Sequence, residues 1–229
     1  MAVERSLHSR VTNSRKSPKT LSKPVLERLP TLLLTGFEAF GDDPSGQSLN
    51  PSAQIAIALH GQRIGHWRIA GHVLPCEFGR SARMLKTLIN EYQPSAIICL
   101  GQAGGRSAIS IERIAVNWDE AALADNAGVI RSGQPILKTA PAAYFSTLPI
   151  HAMQEAVNQQ GIPAELSSTA GHFVCNHVFF SMLHALRTNK TPAGFIHVPY
   201  LPSQAFKGAP SMTLQDMLRG ISAALSALN

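Results

Sequence analysis

Short, continuously apolar blocks alternate along this chain with longer stretches in which apolar residues recur every three or four positions. The first pattern is that of strands buried on both faces, the second that of helices with one apolar side. Thr31–Phe37 (Thr-Leu-Leu-Leu-Thr-Gly-Phe) reads as the first buried strand. Asn50-Pro51-Ser52 then opens a helix through Leu59, with Asn50 as N-cap and Pro51 at the first helical position. A second strand is expected over Trp67–Leu74. An amphipathic helix follows over residues 78–92, with Met84, Leu85, Leu88 and Ile89 on one face and Gln93-Pro94 as its stop. Residues 95–100 form a third buried strand and residues 109–117 alternate like a fourth. Residues 118–147 read as long and irregular, the length of a lid, a binding loop or an oligomer contact. A helix over 148–160 closes at Gly161. A strand at 164–168, a helix from Cys175, a strand at 194–199 and a last helix from a Ser211 cap to Ala224 complete the series. Alternating strands and helices without an internal repeat predict a single-domain α/β fold, a mostly parallel sheet flanked by helices.

Composition narrows the class. At 229 residues, 45% hydrophobic and 15% charged, the chain suits one globular domain of residues 31–229 preceded by a tail. Five of its six net positive charges fall in residues 1–30, where seven Lys/Arg face Glu4 and Glu27. The basicity is thus a property of the tail rather than of a folded face, and no nucleic-acid partner is expected. The tail reads as a disordered extension or an over-long start, with a targeting segment as the competing reading. No apolar run reaches the ~18–20 residues that span a bilayer, so no membrane partner is expected. Cys76, Cys99 and Cys175 are an odd number that fits reduced thiols in a cytosol. Cys and His spacings lack the pairing of a structural zinc site, so neither metal nor cofactor is expected.

The candidate chemistry concentrates at residues 169–177, Thr-Ala-Gly-His-Phe-Val-Cys-Asn-His. Cys175 stands where a helix begins, facing the positive end of the macrodipole and the free N–H groups of the first turn. Both favour thiolate. His197 lies 22 residues further on, near the C-terminal end of the next strand. In a parallel sheet the carboxyl ends of neighbouring strands share one crevice, which would let thiol and imidazole meet as nucleophile and base. A buried structural cysteine is the alternative. Glu112, among apolar neighbours, is either a salt-bridged or solvent-facing residue, with Arg113 as a candidate partner, or the third member of a triad that orients His197. The loop Gly101-Gln102-Ala103-Gly104-Gly105-Arg106 lacks the Gly-Lys-Ser/Thr of a phosphate loop and precedes a strand. Its glycines instead let backbone approach a small ligand, with Gln102 as a hydrogen-bonding group. Phe37 and Phe40, in the glycine-bounded loop after the first strand, either cap the core or wall a small apolar pocket. Cys76, with no helix start or histidine strand attached, reads as a packed residue.

Several of these stretches, in this order, resemble pyroglutamyl peptidase I: Thr-Gly-Phe-Glu-Ala-Phe-Gly at 35–41 with Asn50-Pro51-Ser52, Gly-Gln-Ala-Gly-Gly-Arg at 101–106, Glu-Arg-Ile-Ala-Val-Asn at 112–117, residues 169–177, and Gly-Phe-Ile-His-Val-Pro-Tyr at 194–200. The resemblance implies an α/β/α sandwich and a cytosolic, homotetrameric cysteine exopeptidase that removes N-terminal pyroglutamate from peptides. It implies Cys175 as nucleophile, His197 as general base and acid, and Glu112 as orienter. Phe37, Phe40, Phe173 and Val174 would line the lactam pocket, with Gln102 near the site. This chain departs from the family's pattern at Ala122, where an arginine is usual, at Ala39, His172 and Ser203, and in a longer loop at 42–49. A related thiol hydrolase of altered acyl specificity and a catalytically silent binder of blocked peptides remain open.

Overall fold

The computed structural model describes Met1, residues 29–41 and residues 50–228. The basic extension expected at residues 1–30 falls, but for its ends, outside the described residues, as does the polar loop at 42–49. In chain order the elements are β1 (Thr31–Phe37), α1 (Pro51–Leu59), β2 (Arg63–Ile64), β3 (Trp67–Leu74), α2 (Arg80–Tyr92), β4 (Ala96–Gln102), β5 (Ile109–Glu112), β6 (Ile114–Val116), β7 (Asp119–Ala121), β8 (Arg131–Gln134), β9 (Ala143–Phe145), α3 (Ile150–Gln159), β10 (Ala164–Ser167), α4 (Val174–Leu186), β11 (Ala193–Val198) and α5 (Leu214–Ser226).

Seven strands make one sheet in the order β10-β5-β11-β4-β1-β3-β2. Its centre, β11-β4-β1-β3, is parallel. Of these, β1, β4 and β11 are continuously apolar blocks buried on both faces, whereas β3 is partly exposed, and the side-chain period of two sorts them. Leu32, Leu34, Ile98, Leu100, Ile196 and Val198 pack under α1, α3 and α5. Leu33, Phe37, Ile97, Cys99, Ala193 and Phe195 pack under α2 and α4. The result is the expected single-domain α/β fold, a mostly parallel sheet with helices on both faces. Each such side chain removed from water contributes roughly 1.5–3 kcal/mol.

Three expectations are corrected. First, β5 runs antiparallel to β11, and β10 follows β5 in parallel. The strand leading to Cys175 is therefore neither next to the His197 strand nor in its direction, and a shared carboxyl edge does not explain their meeting. Second, residues 109–117 are two strands broken at Arg113. Its N–H still donates to Ser167 O in the main sheet (2.8 Å), while its carbonyl accepts from Ser146 N (2.8 Å), so the chain changes sheets at this one residue. Residues 118–147 accordingly hold β7, β8 and β9, in two small antiparallel pairs, β6–β9 and β7–β8. Third, α5 is capped by Thr213, whose Oγ1 accepts from Asp216 N at 3.1 Å. Ser211 instead bridges to Tyr200. The other helix signals hold: Asn50 Oδ1 accepts from Ser52 N at 3.0 Å, and Gln93, left-handed at φ 44°, ends α2 before Pro94.

Candidate active site

α4 begins at Val174 because Phe173 is extended (φ −91°, ψ −164°) and no side chain caps the helix. The N–H groups of its first turn therefore remain available as donors. Cys175 lies in that turn, 8% exposed. Its position over the sheet follows from one residue without a side chain. Gly101 pairs with His197 across β4 and β11, and a Cβ built on Gly101 would lie 2.9 Å from Cys175 Sγ. The thiol thus rests on the backbone beside His197, on the sheet face from which the imidazole projects.

Glu112 reaches the same face from β5. In the antiparallel register His197 stands opposite Ser110, so Glu112 is its diagonal neighbour two residues deeper. The carboxylate has no exposure, and its Oε1 lies 2.7 Å from His197 Nδ1. A carboxylate only accepts, so Nδ1 carries the proton and Nε2 keeps its lone pair. Arg106 Nη1 donates to the same Oε1 at 2.8 Å. The cation paired with Glu112 is thus Arg106, from the glycine-rich loop; Arg113 is exposed.

A second histidine, His177, settles by contrast which one is free to act. Its Nδ1 is 2.8 Å from Asp119 Oδ2, and its Nε2 accepts from Gly79 N at 3.1 Å. Both nitrogens are taken, fixing the loop before α2 to α4. His197 is held through Nδ1 alone among the described hydrogen bonds. Asn176 completes the scaffold, donating to Val116 O (2.9 Å) and Trp118 O (3.0 Å) and accepting from Val116 N (2.9 Å).

Burial governs the charges. It pushes the Cys175 thiol well above its ordinary value, and Cys76, Glu112 and Cys99 add to this while Arg106 opposes it. Burial also holds His197 below the usual imidazole value, against the hydrogen bond and charge of Glu112 and with the help of Arg106. The helix terminus favours thiolate, whereas burial favours the neutral thiol and the neutral imidazole.

Of the aromatic residues expected to wall a pocket, Phe40 and Phe173 come together, half-buried, with ring centroids 5.7 Å apart. Phe37 (1% exposed) and Val174 (0%) lie one layer down in the core, Phe37 against Phe195. Phe78 joins the wall edge-on to Phe173 at 5.4 Å. Gln102, partly buried, accepts from Gln204 Nε2 at 2.9 Å, which fixes its amide. Arg106, Asp119, His177, Phe78 and Gln204 were not singled out by sequence. His177 was visible in the Cys-Asn-His triplet, but its partner Asp119 is 58 residues away; Arg106 was visible in the glycine-rich loop, six residues from Glu112 but 63 from its other acceptor, Thr169 O. Among the described residues no cluster of three His, Cys, Asp or Glu side chains is placed to hold a metal ion, and no helix is long and apolar enough to cross a membrane. The groove of about 620 Å³ between α3 and α5 lies on the other face, and its lining carries no thiol or imidazole.

The family model for pyroglutamyl peptidase matches residues 30–229. The pyrrolidone-carboxylate peptidase of Bacillus thuringiensis (strain Al Hakam) is 45% identical over 201 residues, 86% of this chain and 92% of the relative. That of Bacillus cereus (strain G9842) is 46% identical over the same shares. Among solved structures, pyroglutamyl peptidase I of Bacillus amyloliquefaciens superposes with a TM-score of 0.83 at 39% identity, covering 87% of this chain and 96% of the other. The pyrrolidone carboxyl peptidase of Thermococcus litoralis gives 0.82 at 38%, covering 87% and 93%. With a thiol, an imidazole and a carboxylate converging on one helix terminus, these likenesses identify the chain as a member of the pyroglutamyl peptidase family, a cysteine peptidase.

Proposed function

We propose that this enzyme removes N-terminal pyroglutamate from peptides through a Cys175–His197–Glu112 triad. The observation that carries the reading is the diagonal His197–Glu112 pair, 2.7 Å apart, with the Cys175 thiol seated on Gly101 beside it. Pyroglutamate lacks a free α-amine, so a site built around an ammonium partner cannot hold it. Its lactam is flat, small and neutral, which suits an apolar wall made by Phe40 and Phe173 and backed by Phe37 and Val174, with the amide of Gln102 for a polar edge.

His197 Nε2 takes the thiol proton as Sγ attacks the carbonyl that joins pyroglutamate to the next residue. Glu112 holds the ring in the required tautomer and stabilises the imidazolium. Backbone N–H groups at the start of α4 stabilise the tetrahedral oxyanion. The imidazolium gives its proton to the departing amine, leaving a thioester between Cys175 and the pyroglutamyl group. His197 then activates the water that releases pyroglutamate. No metal or other cofactor enters this scheme, and no nucleic acid or membrane partner is invoked. Residues 31–229 form the peptidase domain and residues 1–30 the extension, so a chain begun at residue 29 keeps the activity. A cytoplasmic location suits three reduced thiols, and family resemblance points to a homotetramer, which light scattering on the eluting protein tests.

The deciding assay is hydrolysis of pyroglutamyl-aminomethylcoumarin by wild type and Cys175→Ser, with and without iodoacetamide, against prolyl and glutaminyl analogues. Turnover confined to the pyroglutamyl substrate and lost on substitution and alkylation is expected. Folded, reduced wild type without turnover on that substrate sinks the reading.

A further inference from the structure

Arg106 makes two contacts that no single element of the fold explains. Its Nη1 donates to Glu112 Oε1 at 2.8 Å, and its Nη2 donates to Thr169 O at 2.9 Å. Glu112 ends β5. Thr169 belongs to the turn between β10 and α4, six residues before Cys175. We propose that Arg106 is a positioning residue that ties the carboxylate behind His197 to the turn that carries the nucleophile, setting both halves of the site with one guanidinium.

The charges point the same way. Glu112 has no exposure, whereas Arg106 retains 23% of its side-chain surface, so the cation is hydrated on one side and desolvated toward the carboxylate. Desolvating a carboxylate with no cation beside it is costly, and Arg106 supplies that cation to Glu112. Burial favours the neutral form of His197, so Arg106 is the permanently charged partner of Glu112 among the described residues. Cys175 is faced by Cys76, Cys99 and Glu112, which hold its proton on, and by Arg106, which draws it off. His197 is faced by Glu112, which favours its protonated form, and by Arg106, which opposes it.

The turn's other bonds are local or run to β7: Thr169 O also accepts from Ser167 Oγ at 3.1 Å, Gly171 N donates to Thr169 Oγ1 at 3.1 Å, and His172 O accepts from Glu120 N at 3.0 Å. Arg106 adds the link to the carboxylate behind His197. A planar fork with two terminal nitrogens can serve two acceptors on separate segments; an ammonium brings the charge without the fork.

The test, which rests on the peptidase reading only in its turnover arm, compares wild type, Arg106→Gln and Arg106→Lys. The first measurement is the pH dependence of Cys175 alkylation by iodoacetamide, followed by peptide mapping. The second is kcat and KM on pyroglutamyl-aminomethylcoumarin. In Arg106→Gln the alkylation profile moves to higher pH by roughly one unit, and kcat falls about 10–100-fold with KM within about threefold. In Arg106→Lys the alkylation profile returns toward wild type while kcat stays about tenfold low, because the turn is no longer held. Folded Arg106→Gln with wild-type alkylation and kcat overturns the proposal. Should that variant not fold, Arg106→Lys decides: wild-type kcat there overturns the tie. Wild type that alkylates as expected, responds to Arg106 substitution and yet shows no turnover sinks the peptidase reading and leaves the tie standing.

Discussion

Replacing Gly101 by alanine adds one methyl group at the point where the thiol meets the sheet. The new Cβ would lie 2.9 Å from Cys175 Sγ and 2.9 Å from both Cε1 and Cζ of Phe195. Comfortable contacts between such atoms begin near ~3.5–4 Å, so roughly 0.6–1 Å must be found on one side. Phe195 has nowhere to go: it is fully buried, with Phe37 at 6.3 Å and Phe179 at 5.7 Å between ring centroids. α4 resists as well, because Asn176 is held by three hydrogen bonds to Val116 and Trp118. The Cys175 rotamer is the softest element, and it is the one that aims the nucleophile. A misplacement of about 1 Å costs on the order of 10²-fold in rate. Gly101→Ala should therefore lower kcat by about 30–100-fold with KM changed by less than about threefold. Overpacking of about 2 kcal/mol should lower Tm by about 4–8 °C. Steady-state kinetics on pyroglutamyl-aminomethylcoumarin beside a thermal melt measures both. Folded Gly101→Ala with kcat within about threefold of wild type would falsify the seating of the thiol on Gly101.

Glu112→Gln should lower kcat by about 10²–10⁴-fold, since the imidazolium loses its counter-charge. Activity needs His197 unprotonated, so it is present above the imidazole's pKa and lost as pH falls through it. Burial already holds that value low and Glu112 raises it, so Glu112→Gln should move the acid limb of kcat/KM to still lower pH; a limb that moves upward would contradict the assignment. Asp119→Ala strips His177 of its partner and leaves the Gly79 clamp unsupported. A loss of about 1.5–3 kcal/mol is expected in urea unfolding, with KM rising because Phe78 backs the aromatic wall; unchanged stability and KM would show the dyad to be idle. Burial pushes Cys99 from 9.0 to about 12. A thiol whose folded value is raised adds stability that is full below its unfolded value and is lost as pH climbs toward the folded one. Between pH 7.5 and 10.5 wild type should therefore lose about 2 kcal/mol more than Cys99→Val, and equal losses in the two proteins would refute the linkage.

The apolar blocks were legible because β1, β4 and β11 are buried on both faces, so that burial wrote itself into consecutive residues such as Leu32, Leu33 and Leu34. Strand direction was not read. Ile109–Glu112 carries no mark of its neighbour's direction, but the connection at 103–108 is too short for a parallel crossover and turns the chain back beside β11; Arg113 then hands the chain to a second sheet. The same handover created β7, β8 and β9, whose short, partly exposed strands carry little period-two signal. The start of α4 was legible, since helical spacing resumes after a glycine turn. The burial of its thiol was not, because the helix end is written locally whereas the residues that pack with Cys175, Cys76 and Cys99 among them, are brought in by the fold.

That reversal of β5 also explains why the site needs Glu112 where it is. Had β5 run parallel to β11, the residue at its C-terminal end would sit level with His197 at the open edge of the sheet, where water screens a carboxylate. Running antiparallel, β5 brings its last residue opposite Phe195, inside the edge, while His197 faces Ser110. The carboxylate is thereby fully buried and below the imidazole, aimed at Nδ1, with Nε2 left toward the thiol side. A low-dielectric position strengthens its hold on the ring and on the imidazolium that forms, and the same position makes the guanidinium of Arg106 necessary. The topology that sequence periodicity could not reveal is thus what sets the electrostatics of the three residues that it could.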